Sequence, residues 1–181
     1  MKNFLLILLV ALTGALQAQT TGGGLIYGKN HVYALAAPKD WIMDNKAGVP
    51  MDLHAVFYPV GGSWLNSETI MYTNFITVDS SLTLKEFIAD DVKAFRKNGD
   101  EKIEFKEDLV LAKPTFTIYY FEYTADNIRA YEYIAYTRGT TGVVTLVLHT
   151  RDKKELKKNY KALEELAKSY LWISNGVVEK E

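Results

Sequence analysis

The sequence predicts an α+β fold: an α/β/α sandwich in which a central antiparallel sheet carries one helix on each face. Three observations point there. The later strand candidates are separated by short polar breaks of hairpin size, so neighbours pair antiparallel. Two of those strands, around Ile118-Tyr119-Tyr120-Phe121 and Val143-Val144-Thr145-Leu146-Val147-Leu148, are apolar on both parities, whereas a sheet with one wet face alternates. Two amphipathic helical segments are available to cover the two faces. A chain of 181 residues, 48% apolar and 24% charged, suits one globular domain.

The elements follow in chain order. Leu25-Ile26-Tyr27 and Val32-Tyr33-Ala34-Leu35 read as a broken opening strand, and Pro38-Lys39-Asp40 turns the chain into Trp41-Ile42-Met43. Residues 53–58 form a strand that closes at Pro59, and residues 70–78 form another, with Ile70, Tyr72, Ile76 and Val78 on one parity. Thr83-Leu84-Lys85-Glu86 fits a capping box, in which the Thr83 hydroxyl accepts from the Glu86 N–H and the Glu86 carboxylate reaches back. Leu84, Phe87, Ile88, Val92 and Phe95 then make one apolar stripe, stopped at Asn98-Gly99. Strands are expected at 102–105 with 109–112, 115–124, 129–137 and 143–150. A second helix starts from Asp152 and runs to about Tyr170, with the stripe Leu156, Tyr160, Leu163, Leu166, Ala167 and Tyr170. Trp172-Ile173 follows, and Asn175-Gly176 ends the domain.

The first residues carry a different message. Met1-Lys2-Asn3 is a short positive start, residues 4–12 (FLLILLVAL) are unbroken apolar chain, and Ala15-Leu16-Gln17-Ala18 offers small residues for cleavage. The apolar run is too short to span a bilayer, which takes about 20 residues. The expectation is a signal peptide over 1–18 cleaved near Ala18, a flexible lead-in over 19–24, one domain over 25–176 and a polar tail over 177–181. Export to the periplasm or beyond follows, with no membrane span. The chain has no cysteine, which excludes disulfides and the thioether anchor of a bacterial lipoprotein. A formal charge of −1 offers nothing to polyanions, so nucleic acid is not the expected partner.

No constellation of residues demands catalysis. Asp52 and His54 are two apart and share a strand face, and with His31 or His149 they invite comparison with a metal site, but the close ligand spacing of a zinc motif is absent. Ser63 beside Gly61-Gly62 could serve as a nucleophile with Asp52 and His54, yet the Gly-x-Ser-x-Gly elbow is incomplete. The expectation is therefore no catalytic residue, no metal and no cofactor. Tyr119, Tyr120, Phe121, Tyr123, Tyr131, Tyr133 and Tyr136 read as sandwich core with hydroxyls at the sheet rim, or alternatively as the lining of a small-molecule or sugar cleft. The lysines at 153, 154, 157, 158 and 161 read as a solvated helix face.

One short signature and the order of elements resemble a known family. Tyr33-Ala34-Leu35-Ala36-Ala37-Pro38-Lys39-Asp40-Trp41, Val56-Phe57-Tyr58-Pro59, the capped helix over 83–96 and the final helix leading to Trp172 are similar to the PsbP-like fold, shared by DcrB-type envelope proteins. The resemblance spans most of residues 25–175. It implies a non-enzymatic binding or assembly module with an envelope protein as partner, in a family of photosystem accessory proteins, a nuclear-transport GTPase-binding factor and effector chaperones. It carries over no active site. The loop over 60–67 holds Trp64, and aromatic residues on loops are common interface anchors. Trp64, flanked by Tyr58 and Tyr72, is the expected partner-contacting patch; the competing expectation is that Trp64 folds back onto the sheet.

Overall fold

Seven strands form one antiparallel sheet, in which the chain's strands lie in the order third, fourth, fifth, ninth, eighth, seventh and sixth, and three more form a small sheet in the order first, second and tenth. The computed structural model describes residues 22–96, 102–111, 114–125 and 127–176. The strands are β1 (Gly23–Gly28), β2 (His31–Ala36), β3 (Trp41–Asp44), β4 (Ala55–Pro59), β5 (Thr69–Thr77), β6 (Lys102–Val110), β7 (Thr115–Ala125), β8 (Ile128–Arg138), β9 (Gly142–Thr150) and β10 (Leu171–Ser174). The helices are α1 (Leu84–Phe95), α2 (Lys153–Lys158) and α3 (Tyr160–Ser169).

The large sheet is covered on both sides, as the two-sided apolar strands require. On one face α1 lays Leu84, Phe87, Ile88, Val92 and Phe95 over Phe121, Ile134, Tyr136, Val143 and Val147. On the other, Leu156, Leu163, Leu166 and Ala167 of α2 and α3 join Tyr33 and Leu35 of the small sheet over Phe57, Met71, Ile118, Leu146 and Leu148. Neighbours Leu146 and Val147 point to opposite faces and are both buried. The capping box of α1 forms as expected: Glu86 N donates to Thr83 Oγ1 at 3.2 Å and Thr83 N to Glu86 Oε2 at 2.8 Å.

The sandwich departs from the simple expectation in four places. The second face carries two helices and a small sheet rather than one helix. The closing helix breaks at Asn159, whose side-chain amide donates to the Glu155 carbonyl at 2.9 Å and competes with the helical ladder. The strand pieces expected at 102–105 and 109–112 are one strand, β6, with a register shift between Phe105 and Glu107. Gly23 and Gly24, expected in a flexible lead-in, belong to β1 and pair with Ala36 and Leu35. A Cβ at Gly23 would stand 2.9 Å from the Leu35 carbonyl, and one at Gly24 3.1 Å from Met43 Cε, so these glycines permit close packing. The leader over 1–18, the helix stop at Asn98-Gly99 and the tail over 177–181 lie outside the described residues. Among the described residues no helix is long and apolar enough to cross a membrane.

Candidate functional site

The loop over 60–67 turns Trp64 inward. The residue is 9% exposed and packs with Ile42, Val56, Tyr58 and Tyr72, its ring edge-on to that of Tyr72 with centroids 6.3 Å apart. The Tyr58 hydroxyl donates to Asp44 Oδ2 at 3.1 Å. The three aromatics expected to act together are thus gathered in one place, but Trp64 and Tyr58 are buried and Tyr72 partly buried in a cluster extending the α1 face of the sheet. This is the folded-back arrangement, and it follows from the cost of leaving an indole in water.

Next to that cluster lies a polar group that no sequence motif marks. Glu132, on β8, is 3% exposed, and its Oε1 accepts from the Tyr123 hydroxyl at 2.9 Å and lies 2.8 Å from His149 Nδ1. On α1, Asp91 Oδ2 accepts from the Tyr136 hydroxyl at 2.6 Å, and burial raises its carboxyl above the ordinary value despite that bond. Burial likewise holds the Tyr72 phenol well above its usual range, reinforced by the charges of Glu132 and Asp91. A carboxylate inside the apolar run Tyr131-Glu132-Tyr133-Ile134 was the one signal available in sequence.

A second polar feature sits at the seam between the two sheets. An open groove of about 500 Å³ runs along β1, with walls of Leu25, Ile26, Val49 and Leu53 and polar groups from Tyr27, Asn45, Asp52 and His54. Asp52 stands in the left-handed region, φ 57°, where the turn over 49–51 ends. His31, buried to 4%, has its ring centroid 4.8 Å from that of His54 and 4.3 Å from that of Phe75. A Cβ at Gly28 would stand 2.5 Å from the His31 ring, so only glycine fits opposite it in the hairpin. Two buried ring nitrogens, His31 Nε2 and His54 Nδ1, have no protein partner among the described residues. Burial, with His54 alongside, pushes His31 down to about 4; burial also lowers His54, against an opposing bond to Asn74.

The outer face of the small sheet is apolar and uncovered by the described residues. Leu25 and Leu171 flank Ala34 in register, Tyr27 stands beside Val32, and Ile173 sits at a bulge in β10. The exposures are 53% for Leu25, 68% for Tyr27, 61% for Leu171 and 49% for Ile173.

The remaining candidates are dispersed. Asp52 and His54 share the groove, whereas Ser63 stays in the Trp64 turn, its carbonyl accepting from Asn66 and Ser67. No group of three His, Asp or Glu side chains among the described residues is placed to hold a metal ion. The tyrosines of β7 and β8 are mainly core: Tyr120, Tyr133 and Tyr136 are buried, with the hydroxyls of Tyr120, Tyr123 and Tyr136 reaching Glu122, Glu132 and Asp91. Of the lysines, Lys153 bonds Glu122 at 2.9 Å and lies over the rings of Tyr120 and Tyr131.

Comparison with solved structures places the fold. The chain is similar to cyanobacterial PsbP (CyanoP) from Synechocystis, with TM-score 0.53, 14% identity, and coverage of 90% of this chain and 99% of that one. It is also similar to LpqN, described as involved in cell envelope biogenesis of Mycobacterium tuberculosis, with TM-score 0.57, 7% identity, and coverage of 83% and 90%. No protein-family model and no curated protein sequence matches the chain. The fold is PsbP-like; identities this low show the architecture alone.

Proposed function

We propose that the chain is an exported, non-enzymatic accessory module that acts through protein contacts, and that the outer face of the small sheet is its contact surface. The observation that carries this reading is the cluster of Leu25, Tyr27, Leu171 and Ile173, each about half exposed or more, on one side of a three-stranded sheet. Large apolar side chains scattered singly are ordinary, but a contiguous patch on a protein in water marks a surface that something covers. The structural neighbours, cyanobacterial PsbP and LpqN, the latter described as involved in cell envelope biogenesis, support an accessory role, and the residues over 1–18 support export. Trp64 and Tyr58 are buried and Tyr72 partly so, which supports a contact surface away from the loop over 60–67.

The test is positional. A photo-crosslinking residue is introduced at Tyr27 and, as a control, at the exposed Lys168 of α3, and both proteins are irradiated in the envelope fraction. The reading predicts a discrete adduct from position 27 and none from position 168. Equal labelling from both positions, or none from either, overturns it.

A further inference from the structure

We propose that the groove between β1 and residues 45–54 is a binding site for a small organic cation: an amine carried on a compact apolar body. Its volume, about 500 Å³, falls in the range of ligand pockets, and its lining has their usual make-up, apolar walls with a few converging polar groups. The polar groups decide the ligand's chemistry. Asp52 is a carboxylate, and among the described residues no lysine or arginine lines the groove. His54 Nδ1 is buried and has no protein partner among the described residues, so it is the ring nitrogen left for a ligand. Asn45 adds an amide oxygen, and the exposed ring of Tyr27 offers a face that attracts cations. The groove therefore presents one negative charge, an unpartnered ring nitrogen and an aromatic face.

An anion finds no donor of positive charge there, and a neutral ligand leaves Asp52 without a counter-charge. A bare metal ion has no third side-chain ligand among the described residues and no use for the walls of Leu25, Val49 and Leu53. An ammonium group on an apolar body uses every part. The neutral histidines fit the same picture, because neither adds a positive charge beside the site near neutral pH. His31 lies behind His54, with ring centroids 4.8 Å apart, and its buried Nε2 has no protein partner among the described residues. The site shares Leu25 and Tyr27 with the proposed contact surface but does not involve Leu171 or Ile173, so the two readings fail independently.

Three probes of one shape test it: 2-phenylethylamine, 2-phenylethanol and phenylacetate, titrated at millimolar concentration and followed by amide chemical shifts. The expected result is saturable binding of the amine alone, with shifts at residues 25–27 and 45–54. Asp52→Asn keeps the left-handed turn, which asparagine tolerates, and should weaken the amine at least about tenfold while leaving the melting temperature unchanged. Tyr27→Ala should weaken it less. Zinc chloride serves as the metal arm. Equal binding of the alcohol or the acid, undiminished amine binding by Asp52→Asn, no binding of any probe, or saturable zinc binding that disappears with His54→Asn would each overturn the assignment.

Discussion

His149 Nδ1 lies 2.8 Å from Glu132 Oε1, pairing a partly exposed imidazole with a carboxylate almost wholly withdrawn from water. The two residues face each other across β8 and β9, in register with Ile70 on β5 and Phe121 on β7. A buried carboxylate persists only when hydrogen-bonded, and here Tyr123 supplies the second bond. Glu132→Ala leaves the Tyr123 hydroxyl and His149 Nδ1 without their acceptor and should cost about 2–4 kcal/mol. Glu132→Gln keeps an acceptor oxygen and should cost less than half as much. Urea denaturation of the two variants checks the order; an Ala variant as stable as wild type would refute it.

Trp64→Ala should behave as a core truncation. With Trp64 packed against Ile42, Val56, Tyr58 and Tyr72, the substitution should cost about 3–5 kcal/mol by denaturant unfolding. Adduct formation at position 27, normalised to folded protein, should be unchanged. A loss of less than about 1 kcal/mol together with loss of the adduct would return the contact surface to this loop.

Leu146→Asp and Val147→Asp should both prevent stable folding, since each places an unpaired carboxylate in a different layer of core. Circular dichroism of the pair is sufficient. If either variant kept its denaturant midpoint, one face of the sheet would be open to water.

The histidine pair predicts how stability depends on pH. His31 has a folded value of about 4 against an ordinary 6.5, chiefly through burial, and His54 shifts in the same direction. As pH falls below 6.5 the unfolded chain takes up protons that the folded chain refuses, so stability declines from about pH 6.5 toward 4 and is flat in this respect above it. A tenfold change in proton affinity is worth about 1.4 kcal/mol; with solvent screening, of order 2 kcal/mol should be lost through His31 across that window. His31→Asn should flatten the slope of the unfolding free energy against pH, whatever it does to the absolute value. A slope identical to wild type would show that other groups control the acid limb.

The parts of the fold written in local pattern were legible. The capping box at Thr83 and Glu86, the stripe of α1 and the two-sided apolar run of β9 each state their structure within a few residues. The small sheet was not legible, because β10 pairs with β2 across more than a hundred residues and its four-residue span is too short to show a period. Its existence separates the opening hairpin from the large sheet, creates the groove beside β1 and brings His31 to His54. The Glu132–His149 pair was hidden for the same reason: two isolated residues in apolar strands become partners only once the register is set. Trp64 was ambiguous because a loop can either present an indole or fold it back, and the deciding contacts come from β3, β4 and β5.

If the outer face of the small sheet is the partner surface, charge placed on that face along β10 must block the contact without unfolding the domain. The double variant Leu171→Glu/Ile173→Glu does this. Both side chains are largely exposed, so unfolding free energy should change by no more than about 0.5 kcal/mol. The quantity to measure is the yield of the adduct formed from position 27 per folded molecule. The two charges should abolish that yield while the protein remains folded. A folded double variant with the wild-type yield would mean that the partner binds elsewhere.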